Sequence, residues 1–122
     1  MPSTGVETPE VVSVTVSATQ DGKGIYVTAS IKNFSGRVSF QVYGIGDGDS
    51  PLNTQNNDNF SSGDEAVNSN ATLWPGKTGT FIVYVYLYES TSSSAVASGK
   101  SEKIVLGARP KKFTWTNKIE KD

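Results

Sequence analysis

The chain has no cysteine, no histidine and a single methionine among its 122 residues, and each shortage removes a class of chemistry. Without cysteine there is no disulfide framework and no thiolate metal site, so stability has to come from packing. Without histidine the commonest general base and the commonest metal ligand are missing. Serine–histidine triads and histidine zinc sites are therefore excluded. Net charge is also scarce: the positive and negative side chains nearly cancel to leave −1, so no global field draws the protein to nucleic acid or to an anionic membrane surface. No apolar run approaches the roughly 20 residues that cross a bilayer. The opening Met1 to Glu10 has neither the basic start nor the apolar centre of a signal peptide. Partners are expected to be recognised locally, with no nucleic acid and no membrane insertion among them.

Leucine and alanine are too few for long helices, whereas glycine, serine, threonine, asparagine and aspartate are spread throughout. Apolar and polar residues alternate over short stretches, as in strands with one buried face. Glu10 to Thr19 sets Val12, Val14, Val16 and Ala18 against Ser13, Thr15 and Ser17. The turn formers Asp21, Gly22 and Gly24 follow. Ile25, Val27, Ala29 and Ile31 make one face of a second strand, and in a third, Arg37 to Tyr43, Val38, Phe40 and Val42 are set against Ser39, Gln41 and Tyr43.

From Gly44 to Glu65 the chain is rich in turn formers and nearly free of core residues, which predicts a long loop with at most a short edge strand near Pro51 to Thr54. Ala66 to Trp74 reads as a strand with Val67, Ala71 and Leu73 inward, closed by Pro75-Gly76. Gly79 to Glu89 is the strongest strand, with Phe81, Val83, Val85 and Leu87 on one face and Ile82, Tyr84, Tyr86 and Tyr88 on the other. A serine-rich connection leads to Lys100–Leu106, where Ile104 and Leu106 close the core. The expectation is an all-β, seven-stranded antiparallel sandwich over residues 9–107, with a flexible segment at 1–8 and a linker or the start of a following region at 108–122.

Two stretches carry a family resemblance. Leu73 to Ser90 resembles the turn between the fifth and sixth strands of fibronectin type III domains, with Leu73, Pro75, Gly76, Thr80, Phe81, Val83 and Val85 on that pattern and two extra residues in the turn. Phe81 stands where that family usually has tyrosine, and Ala29 or Val27 where it has tryptophan. The resemblance thus implies an immunoglobulin-like layout more than a shared core. Gly107 to Thr116, GARPKKFTWT, resembles the Arg-Pro-x-x-Phe/Trp-x-Trp segment that follows such domains in tail-associated virion proteins of phages and prophages of Gram-positive bacteria. It implies a virion or cell-surface location within a larger protein, with neighbouring domains and a host glycan or protein as partners. A linker that docks Phe113 and Trp115 onto an adjoining surface accounts for the same residues.

Candidate sites are few. Tyr84, Tyr86 and Tyr88, with Trp74 nearby in sequence, form an aromatic stripe suited to stacking on sugar rings or anchoring a protein. Cross-strand packing on the outer face of a sheet explains the same residues without a ligand and is the favoured reading. Asp47, Asp49 and Asp58 lie in the acidic, glycine-rich stretch with Asp64 and Glu65, an oxygen-rich set of the kind calcium takes, although the spacing departs from the EF-hand loop and a solvated turn reads the same. No other cofactor is expected. Seven of the eleven basic residues fall in the last 23 positions, without the interleaved aromatic platform of a nucleic-acid site. Asn33, Asn59 and Asn70 begin glycosylation-type triplets. No acid pair sits in apolar sequence and no nucleophile has a base, so no catalytic residue is assigned. The leading expectation is a non-catalytic structural or adhesive module that spaces domains or presents binding loops; the alternative is a carbohydrate-binding module using the tyrosine stripe.

Overall fold

The computed structural model of the chain describes residues 8–89 and 94–107. Most of the N-terminal segment and the basic stretch bearing Phe113 and Trp115 lie outside the described residues. Eight strands run in the order β1 (Glu10–Ala18), β2 (Ile25–Lys32), β3 (Ser35–Gly44), β4 (Asn53–Ser61), β5 (Val67–Leu73), β6 (Gly79–Tyr88), β7 (Ala97–Lys100) and β8 (Ile104–Leu106). One sheet has the order β1-β2-β5; the other has the order β4-β3-β6, with β7 and β8 following one another along the far edge of β6. All pairings are antiparallel. The two sheets pack as a sandwich.

Alternation produces the core as expected in the central strands. Ile25, Val27, Ala29 and Ile31 face Val38, Phe40 and Val42 together with Phe81, Val83, Val85 and Leu87, and all are buried. Removal of these aliphatic and aromatic side chains from water, at about 1.5–3 kcal/mol for each large one, is the main force holding the layers together. In β5 the expected Leu73 is buried and Ala71 is partly so, whereas Val67, at the strand start, is exposed, and Ser69 takes the buried position between them.

Strands β1 and β4 and the junction of β7 with β8 each carry one extra residue. In β1, Val11 pairs with Ile31 and Ser13 with Ser30, so Val12 is looped out of register. Such a bulge reverses which side chains face inward. Val11 therefore joins Val14 and Val16 against the core while Val12 is exposed, and Ala18 at the strand end is exposed as well.

The supposed loop from Gly44 to Glu65 contains a nine-residue strand, β4, instead of a short edge segment at Pro51 to Thr54. Its polar sequence hid it, because the buried Phe60 is its only hydrophobic residue. Gly36 pairs with Phe60 and Val38 with Asn57, which places the extra residue on β4 and turns both Phe60 and Asn57 inward. The Asn57 amide then donates to the Ser69 hydroxyl of β5 at 2.9 Å, tying the neighbouring edges of the two sheets.

The strand expected at Lys100–Leu106 is divided into β7 and β8, and β7 begins inside the serine-rich connection. Seven expected strands become eight for this reason. From Tyr84↔Lys100 to Phe81↔Ile104, β6 moves three positions while its partner moves four. The added residue brings Ile104 and Leu106 to the core side, where Leu106 is fully buried.

Candidate functional site

The outer face of the second sheet is built from β3 and β6. Their register sets Arg37 opposite Tyr88, Ser39 opposite Tyr86, Gln41 opposite Tyr84 and Tyr43 opposite Ile82. Cross-strand partners in an antiparallel pair share a face, so Tyr43 joins the stripe of Tyr84, Tyr86 and Tyr88. The Tyr43 and Tyr84 rings meet edge to face with centroids 5.3 Å apart. Tyr84 and Tyr86 are nearly parallel at 6.1 Å, and Tyr86 and Tyr88 are tilted at 6.4 Å. All four tyrosines are half-buried.

Hydrogen bonds fix one margin of this aromatic ladder. The Tyr43 hydroxyl donates to Gln41 Oε1 at 2.7 Å, and Gln41 Nε2 donates to the Ser39 hydroxyl at 3.2 Å. Ser39 lies on the outer side of β3 yet is only 3% exposed. Neighbouring side chains on that face therefore cover β3 instead of standing clear of it. Burial, and then the adjacent tyrosines, push the Tyr43 and Tyr86 hydroxyls above the ordinary tyrosine range; for Tyr43, Asp49 adds to the effect. Both hydroxyls stay protonated at neutral pH.

One end of the ladder is bounded by the turn after β3. Tyr43, Tyr84, Tyr86 and Ile82 line a shallow recess of about 440 Å³ together with Gly46 and Asp49. Asp47 does not enter it; its carboxylate meets Lys77 Nζ at 3.1 Å. Asp58, on the outer side of β4, pairs with Arg37 at 3.2 Å. Asp47, Asp49 and Asp58 are thus spread over three surroundings, two of them beside a cation. Among the described residues no three acidic, histidine or cysteine side chains converge as a metal site would require.

Trp74 is set apart from the tyrosines. It follows β5 in the other sheet, its backbone N–H donating to Asn53 Oδ1 at 2.8 Å, and its indole lies where a Cβ on Gly24 would fall, 2.7 Å away. About half exposed, it lines a separate recess of about 630 Å³ with Asp21, Lys23, Lys77, Thr78 and Gly107. Of the glycosylation-type asparagines, Asn70 accepts a hydrogen bond from the Thr28 hydroxyl at 2.7 Å, and Asn33 adopts φ 59° in the turn between β2 and β3.

The stripe itself was legible in the alternation of β6. Tyr43 was missed because its membership depends on the β3–β6 register, although the placement of Tyr43 and Gln41 on the outer side of β3 was the available signal. No family model, curated protein or solved structure matches the chain.

Proposed function

We propose that the chain is a non-catalytic adhesive module of a larger virion or cell-surface protein, one that spaces its neighbours and makes contact through the tyrosine face of the second sheet. The observation that carries this reading is the four-tyrosine ladder. Two strands hold its rings against one another on the outer side of a sheet over which, among the described residues, no other strand packs. Tyrosines already fixed by their neighbours lose little freedom when a partner arrives, which favours contact surfaces of this type.

An immunoglobulin-like, fibronectin type III-like kinship is part of the proposal. It is supported by the strand orders β1-β2-β5 and β4-β3-β6-β7, a layout common to such sandwiches. The turn at Leu73-Trp74-Pro75-Gly76 adds to it, with Leu73 and Pro75 buried as anchors and Phe81 fully buried at the position the family gives to tyrosine. The phage or prophage setting rests on the sequence of Gly107 to Thr116.

The test is binding of the fluorescently labelled full chain to intact Gram-positive cells and to purified walls. Saturable binding that is lost in Tyr84→Ala/Tyr86→Ala, while the variant keeps a dispersed amide spectrum, supports the reading. Absence of binding, or equal binding by the variant, rejects it.

A further inference from the structure

The polar side chains around the tyrosines indicate what they contact. On the outer side of β4, Thr54 and Asn56 pair with Gln41 and Ser39 of β3. On the opposite margin, Ser98 and Lys100 pair with Tyr86 and Tyr84. The tyrosine row is therefore bordered mainly by hydroxyl and amide groups. Among the described residues the charges on this face are few, and one of them, Lys100, stands opposite Tyr84. Arg37 and Asp58 neutralise each other at one end, Asp49 stands at the turn closing the other, and Lys100 lies at the β7 edge. Between them is an uncharged strip that is aromatic along its axis and rich in donors and acceptors along its sides.

From this arrangement we infer that the face binds an uncharged oligosaccharide, laid along β6 with sugar rings against Tyr84, Tyr86 and Tyr88. The inference rests on the adhesive reading above and names its ligand. A pyranose presents an apolar C–H face and a rim of hydroxyls, so it needs an aromatic surface beside neutral hydrogen-bonding groups. An acidic glycan would need several unpaired cations along the row, whereas Arg37 is committed to Asp58 and, among the described residues, Lys100 alone stands beside the tyrosines. A protein partner would be expected to meet a more apolar centre than one ringed by Gln41, Thr54 and Asn56. Successive rings at 6.1 and 6.4 Å along one strand form a row, which suits several linked sugars better than a single one. The recess beside Tyr43, with the Asp49 carboxylate on its wall, terminates the row and accepts the hydroxyls of a chain end.

The experiment is a two-dimensional amide NMR titration of the full chain with cellohexaose, chitohexaose, mannohexaose and purified neutral wall polysaccharide, with polygalacturonate as the acidic comparison. At least one neutral probe is expected to give saturable shifts at Gln41, Tyr43 and Tyr84 to Tyr88, and its affinity should change little between low and high salt. Tyr86→Ala should weaken it by about tenfold or more, as for an aromatic anchor. Because Tyr86→Ala also uncovers part of the sheet, Gln41→Ala serves as a second variant that keeps the rings, and it too should reduce affinity. No saturable shift with any neutral probe overturns the inference, as does binding by polygalacturonate alone or shifts confined to other faces. If whole cells bind the tyrosine face but periodate treatment leaves that binding intact and protease abolishes it, the ligand is a protein: the glycan is then rejected and the adhesive reading survives.

Discussion

Ser101 and Val83 are joined by two hydrogen bonds of different kinds. The Ser101 N–H donates to the Val83 carbonyl at 2.8 Å, while the Val83 N–H donates to the Ser101 hydroxyl oxygen at 3.0 Å, a side chain standing in for a strand carbonyl. The hydroxyl completes the exchange by donating to the Glu102 carbonyl at 2.7 Å. This occurs where one extra residue separates β7 from β8, and it keeps the buried backbone of β6 satisfied across the break. Without the extra residue, the period of two would send Ile104 and Leu106 outward and Lys103 into the core.

Ser101→Ala should therefore destabilise the domain by about 1–3 kcal/mol, because it leaves the Val83 N–H without its acceptor inside the sandwich. Urea unfolding with an unchanged slope and a lower midpoint is the expected result. Deletion of Glu102 should be worse, because it reverses the facing of β8. Leu106 alone forfeits about 1.5–3 kcal/mol of burial in that case.

The β1 bulge predicts opposite outcomes for adjacent valines. Val11→Ser removes a side chain packed against the core and should cost about 1–3 kcal/mol, whereas Val12→Ser, at a position 48% exposed, should fall within about 0.5 kcal/mol of the parent. A regular strand with the expected facing would give the reverse order. Thermal or urea midpoints of the two variants decide between the registers.

Alternation alone made the central strands legible, since Ile25 to Ile31 and Phe81 to Leu87 keep strict period two and meet the same core. It failed where one residue is added, because a bulge leaves no mark in hydrophobicity: Val12 is as apolar as Val11, and only the pairing of Ser13 with Ser30 shows the shift. β4 was hidden for a different reason. An edge strand with one neighbour can be almost wholly polar, and Asn53 to Asn59 supplies amides where a central strand would supply valines. At the candidate site, Tyr84, Tyr86 and Tyr88 could be read from one strand. Tyr43, Gln41 and the separation of Trp74 required the register between strands and the assignment of β5 to the other sheet.

Gly99 is the point at which β1 crosses the end of the second sheet. A Cβ there would lie 2.7 Å from Val11 Cγ1 and 3.1 Å from Val11 Cβ, and the stiff valine has little freedom to yield. Gly99→Val should cost about 1–3 kcal/mol through overpacking. Gly99→Ala combined with Val11→Ala should be less unstable than the sum of the single changes, a coupling that a double-mutant cycle measures directly.

The ladder makes a last prediction through its protonation. Burial and the neighbouring tyrosines favour the neutral hydroxyls of Tyr43 and Tyr86 in the folded state, raising both pKa values above the ordinary value of about 10. The unfolded chain ionises these groups first as pH rises, so it holds fewer protons than the folded protein over that interval. Their contribution to stability is complete below about pH 10 and is lost as pH climbs through the raised folded values. Tyrosinate absorbance should thus show a late component in the native protein that is missing from Tyr43→Phe/Tyr86→Phe. The double variant should also lose less stability than the parent between about pH 8 and pH 11. If a neutral oligosaccharide lies on the same rings, its binding shields them further, and a saturating amount should delay the late component in the parent while leaving the titration of the double variant less affected.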